Sequence, residues 1–173
     1  ERWREMEEGR GEVWVVVAAL KNHMDLVVQK VTELGATKVL PVTTKRTEAK
    51  RVRTDRLRIL AVEASEQCER LTVPEVEETL DLEELLEEWP EDVKLVLCDE
   101  TGGEPLLAAL QALPPSAPVA FVIGPEGGFE ASELEALRGM ASCVRVSLGP
   151  NILRAETAAI AAMAVHHALR PPA

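Results

Sequence analysis

Residues 13–19 are almost continuously apolar and rich in β-branched side chains, the pattern of a strand buried on both faces. From residue 22 the spacing turns helical, with Met24, Val27, Val28, Val31 and Leu34 on one face and Gly35 where a left-handed cap ends a helix. Residues 37–42 read as a second strand, and Leu57, Leu60, Ala61, Ala64 and Cys68 line the inner face of the next helix. A short acidic helix over 81–89 is stopped by Pro90. A third strand over 93–98 leads through Asp99-Glu100-Thr101-Gly102-Gly103 to a helix over 104–113. The strand Val119–Ile123, a helix over 131–140, the strand Cys143–Ser147 and an alanine-rich helix over 154–169 complete the pattern. Five strands alternating with helices predict a mostly parallel sheet with helices on both faces.

Two loops stand out against that pattern. Gly124-Pro125-Glu126-Gly127-Gly128-Phe129 follows a buried strand directly, and a turn without bulky side chains lets a ligand approach the main chain closely. Leu148-Gly149-Pro150-Asn151-Ile152-Leu153 follows the last strand and delivers Arg154, Glu156 and Thr157 to the start of the final helix. Loops leaving one edge of a parallel sheet face each other, and open α/β sheets bind ligands at their carboxyl edge. The first loop is neither a dinucleotide fingerprint nor a P-loop, and alone it reads equally as an ordinary strand-to-helix turn. Its pairing with the second loop raises the functional reading. Arg154 is either a structural cation paired with Glu156 or Glu126, or a group that faces a substrate and stabilises negative charge. For Glu156 and Thr157 the plain alternative is a role at the helix N-terminus.

At 173 residues the chain fits one domain with a sizeable core, and no apolar run approaches the ~20 residues of a membrane helix, so no membrane partner is expected. The first residue is Glu1, so the sequence reads as the body of a longer protein. Cys68, Cys98 and Cys143 are odd in number and widely separated, which favours a reducing cytoplasm over a disulfide framework or a zinc site. His23, His166 and His167 form no metal spacing; no metal is assigned, and the last two suit a helix C-terminus. The series Ala155, Ala158, Ala159, Ala161, Ala162 and Ala164 lets another helix approach and reads first as intramolecular core. The formal net charge of -11 speaks against a nucleic-acid partner until its distribution is considered. Residues 75–92 hold ten acidic side chains and no basic one, which leaves the remainder near -1. Residues 45–58 hold seven basic and two acidic side chains, so a phosphate-backbone contact there stands beside the plainer reading of a solvated loop.

The two loops, with Ser147 and the run from Arg154 to Ala158 included, resemble the signature of the ribosomal RNA small subunit methyltransferase E family, within the knotted SPOUT superfamily. The segment 24–35 and the run Glu66-Gln67-Cys68-Glu69-Arg70 leading to Val73-Pro74 agree with it. The resemblance runs from Val13 onward and implies a deep trefoil knot in the C-terminal part. It implies S-adenosyl-L-methionine as cofactor, N3 of a uridine in 16S ribosomal RNA of the small ribosomal subunit as target, and a cytoplasmic homodimer. Residues 1–12 are then the remnant linker of an N-terminal PUA-like β-barrel, and residues 13–173 the methyltransferase domain. The implied cofactor contacts are Glu100, Ile123, Gly124, Pro125, Glu126, Gly127, Gly128, Leu148, Gly149, Ile152, Leu153 and Arg154. Arg154 and Glu156 are the implied catalytic pair. The RNA contacts expected are Lys45, Arg46, Lys50, Arg51, Arg53, Gln67 and Arg70. Asn151, where the family often has arginine, and Glu69, where it more usually has a small or neutral residue, depart from the pattern. The rival readings are a related methyltransferase acting on another RNA or on ribose oxygen, a non-catalytic RNA-binding module, and a nucleotide-binding regulatory domain.

Overall fold

The computed structural model describes residues 11–48 and 52–169. The five expected strands are all present, as β1 (Val13–Ala18), β2 (Lys38–Thr43), β5 (Lys94–Cys98), β7 (Val119–Ile123) and β8 (Cys143–Ser147). Three two-residue strands join them: β3 (Glu75–Val76), β4 (Leu80–Asp81) and β6 (Glu104–Pro105). The sheet runs β3-β2-β1-β7-β5-β8-β6 with β4 also on β2, and every pairing is parallel. Pro41 explains why β3 and β4 are separate. β3 pairs with Lys38 and Val39, β4 with Val42 and Thr43, and the ladder breaks between them, where Pro41 has no N–H to donate.

The helices are α1 (Met24–Glu33), α2 (Thr54–Gln67), α3 (Leu82–Glu87), α4 (Leu106–Gln111), α5 (Ala131–Gly139) and α6 (Ala155–Ala168). Strand alternation sorts the core into two layers. Val13, Val15, Val17, Val119, Phe121 and Ile123 point to the side covered by α1, α2, α4 and α6. Trp14, Val16, Ala120, Val122, Leu95 and Leu97 point to the side covered by α3 and α5. The predicted left-handed cap is present at Gly35, with φ 96°. Glu69 is also left-handed, at φ 59°, just beyond α2, where a side chain bearing Cβ carries a steric cost.

Two expectations change. The helix expected over 104–113 starts later, because Glu104 and Pro105 pair as β6 with Val146 and Ser147 before α4 begins. His166 is not exposed helix-end charge: it is buried and meets Phe121 edge-on at 5.7 Å. Ala155, Ala158, Ala159 and Ala162 are intramolecular core, and their small side chains bring α6 down onto the sheet.

Candidate active site

Strands β7, β5 and β8 are neighbours in the sheet, so the loops at their carboxyl ends converge. Together they line a cavity of about 450 Å³, within the size range of small-molecule sites. Every residue expected to touch the cofactor lines it except Gly127, and Asn151 does too. Local chemistry sets the shape of the first loop. A Cβ on Gly124 would lie 2.8 Å from the Phe129 ring, and Gly128 adopts φ 73° as its N–H closes a turn onto the Pro125 carbonyl at 2.9 Å. Burial pushes the Cys98 thiol up to about 12, so a neutral sulfur lines the cavity.

The glycine turn is held from outside by the segment after β2. Glu133, buried in the first turn of α5, accepts from the Lys45 N–H at 2.7 Å and from the Glu130 N–H at 2.8 Å. Glu130 and Glu133 form a reciprocal cap on α5. Arg46 donates to Glu130 at 2.8 Å and to the Gly127 carbonyl at 3.0 Å, and it lines the cavity. Its guanidinium holds the Glu130 carboxyl below the usual range.

On another side of the cavity stands a cluster that the sequence reading missed. The Asp99 carboxylate, buried at the end of β5, accepts from Arg138 of α5 at 2.7 Å and from Arg145 of β8 at 2.9 Å through Oδ2. Its Oδ1 accepts from the Thr101 hydroxyl at 2.7 Å and the Thr101 N–H at 2.9 Å. Burial alone would raise this carboxyl, but the bonds from Thr101, Arg138 and Arg145 outweigh it and bring the pKa down to about 2. Nothing local in the sequence links positions 99, 138 and 145; the only signal was the turn after β5.

Arg154 lines the cavity, is exposed, and has no side-chain hydrogen bond or ion pair among the described residues, so neither Glu156 nor Glu126 is its partner. Glu156 does not line the cavity. It is buried in the first turn of α6, and its Oε2 finds no partner among the described residues.

The basic stretch is less free than its composition promised. Lys45 pairs with Glu83 at 3.1 Å, Arg46 with Glu130, Arg53 with Asp55 at 3.3 Å, Arg58 with Glu78 at 2.9 Å, and Arg56 with Asp25. Lys50 and Arg51 lie outside the described residues. Gln67 is exposed at the last position of α2, while Arg70 donates to the Thr32 and Ala36 carbonyls at 2.7 and 2.9 Å, closing the end of α1.

Residues 7–167 match the RNA methyltransferase domain family. Two named relatives are both called ribosomal RNA small subunit methyltransferase E. That of Rickettsia conorii is 34% identical over 87% of this chain and 62% of its own length, and that of Bacillus subtilis 32% identical over 82% and 59%. The chain therefore spans about three fifths of these relatives. The crystal structure of the enzyme of the same name from Neisseria gonorrhoeae, bound to S-adenosyl methionine, superimposes with a TM-score of 0.81 at 29% identity, covering 92% of this chain and 67% of that one. The match takes in every strand and all three loops around the cavity, and the chain belongs to the RNA methyltransferase domain family.

Proposed function

We propose that this chain transfers a methyl group from S-adenosylmethionine to N3 of a uridine in the 16S RNA of the small ribosomal subunit. The observation that carries the reading is the cavity itself, fed by three adjacent strands, with an unpartnered guanidinium at Arg154 on its wall. The residues fit the cofactor chemically. Glycine turns admit a ligand close to the main chain, the Cys98 thiol is neutral, and Glu100 and Glu126 offer carboxylates to a cationic ligand. Bound there, the cofactor supplies an electrophilic methyl group on a sulfonium.

The chain has three tasks. Its loops align the acceptor nitrogen with the methyl group and exclude water. Arg154 stabilises the negative charge that develops on the uracil as the N3 proton passes to solvent. Glu156, buried two residues on, is a positioning residue for the start of α6 rather than a group in contact with the base. In the same reading the loops form a trefoil knot and the chain works as a cytoplasmic homodimer, a kinship-based expectation that sedimentation tests for the dimer.

Calorimetric titration with S-adenosylhomocysteine, followed by methylation of small subunits and nucleoside mass spectrometry, tests the reading. The expected result is one-site binding and 3-methyluridine. Arg154→Ala is expected to lower kcat by about 10²-fold, as loss of a charge-stabilising donor does. Full activity in that variant would remove the role of Arg154. A methyl on ribose oxygen would point to the related methyltransferases, and RNA binding without cofactor binding to a non-catalytic module.

A further inference from the structure

Among the described residues, the positive charge that the fold leaves available does not sit where the composition put it. Each described cation between 45 and 58 has its own carboxylate. Beside the cavity, by contrast, two guanidinium groups share the single carboxylate of Asp99, which leaves one positive charge over. The Arg138 and Arg145 side chains are 33% and 42% exposed, whereas that of Asp99 is 1% exposed.

The hydrogen bonds fix how the two guanidiniums are presented. Arg138 uses Nε and Nη2, bonding Asp99 at 3.1 and 2.7 Å and the Thr101 hydroxyl at 2.8 Å. Arg145 uses Nε for Asp99 at 2.9 Å and Nη2 for the Gly102 carbonyl at 3.2 Å. Neither Nη1 group has a partner among the described residues. Each arginine is thus held by one edge and keeps donors unused. A fork already ordered loses little side-chain entropy when it binds, and planar guanidinium donors match the oxygens of phosphate. The pair is next to the cavity, since Asp99 and Thr101, to which both arginines bond, line its wall.

We propose that Arg138 and Arg145 form a binding site for a backbone phosphate of the RNA, beside the nucleotide that enters the cavity. The identity of the ligand rests on the methyltransferase reading; the site itself rests on the paired guanidiniums. Asp99 is its positioning residue. It orients both arginines while staying out of reach of the anion, and the loop 99–103 that it organises connects the phosphate site to the cavity.

The test is binding of a fluorescent single-stranded RNA containing uridine across a salt series, in the wild-type chain and in Arg138→Gln and Arg145→Gln, with S-adenosylhomocysteine titrated in parallel. Each variant leaves the other arginine on Asp99. The expected result is a loss of RNA affinity of roughly tenfold at low salt in each, and a fall of about 0.7 in the slope of log K against log salt, as for one released counterion on a single strand. Cofactor-analogue binding should persist. Unchanged RNA affinity and slope would overturn the site, as would absence of RNA binding by the wild-type chain. Failure of the analogue to bind, with the RNA effects intact, would count against the methyltransferase reading alone. If the variants do not fold, protection from an arginine-directed dicarbonyl reagent in the wild-type chain decides the matter. RNA should shield Arg138 and Arg145, and labelling that RNA does not change overturns the proposal.

Discussion

At the scale of single residues, Asp99 shows how burial and charge compete. Its folded pKa of about 2 lies below the ordinary 3.8, so it contributes stability above pH 3.8 that is lost as the pH falls through 2. A displacement of that size corresponds to about 2 kcal/mol. Asp99→Asn should therefore unfold more easily than the wild type in urea at neutral pH by about that amount, with the gap closing as the pH falls from 4 towards 2. A gap independent of pH across that window would mean that packing, and not the ion pairs, carries the effect. Gly124 is constrained by space instead. Gly124→Ala should displace Phe129 and weaken S-adenosylhomocysteine binding by roughly five- to 150-fold in calorimetry, since overpacking of a filled site costs about 1–3 kcal/mol. Gly124 and Arg154 were legible in the sequence because each stands in a contiguous loop next to a recognisable strand. Asp99 was not, because its partners come from β8 and α5, and no local pattern records which long side chains meet.

At the scale of elements, the five long strands and the principal helices were legible because each carries its own periodicity over enough residues to show it. β3, β4 and β6 were not: two residues carry no alternation, and their pairing follows from what the neighbouring strand leaves open. The same lesson applies to the segment 44–48, which composition marked for RNA and the fold uses as a brace on the glycine turn. Lys45 and Arg46 reach across to Ser132, Glu133, Glu130 and the Gly127 carbonyl. The ion pair of Arg46 with Glu130 is solvent-exposed and adds little to global stability. Its place on the cavity wall matters more. Arg46→Ala should leave the urea midpoint almost unchanged yet weaken S-adenosylhomocysteine binding several-fold, while Arg46→Lys, which keeps the charge but not the two-point grip, should recover only part of it. Equal losses of stability and affinity would show a general unfolding of the region rather than a brace on the turn.

At the scale of the whole molecule, charge and architecture divide the chain. The acidic run 75–92 spans the outer strands β3 and β4 and the helix α3, whereas the cavity is built on β7, β5 and β8 and carries Arg154, Arg138 and Arg145 around it. An overall charge of -11 is then compatible with the proposed RNA contact, because repulsion from the acidic half would orient the molecule as the arginine side met phosphate. Apart from Arg46, the cavity's walls come from loops that do not touch in sequence, between residues 98 and 158, so a ligand filling it ties together three crossovers that the sheet alone holds only at their strand ends. Such a ligand stabilises the folded state by mass action. At a concentration 100 times its dissociation constant, S-adenosylhomocysteine should add about 2.7 kcal/mol, which for a domain of this size raises the Tm by roughly 5–11 °C. Differential scanning calorimetry measures the shift, and hydrogen exchange locates it. Among amides that exchange by local opening, protection should rise in 99–103, 124–130 and 148–154 and stay level in α1 and α2, none of whose residues lines the cavity. Protection spread evenly over the chain would indicate that the ligand selects the global fold, and protection confined to α1 and α2 would place the binding site away from the cavity altogether.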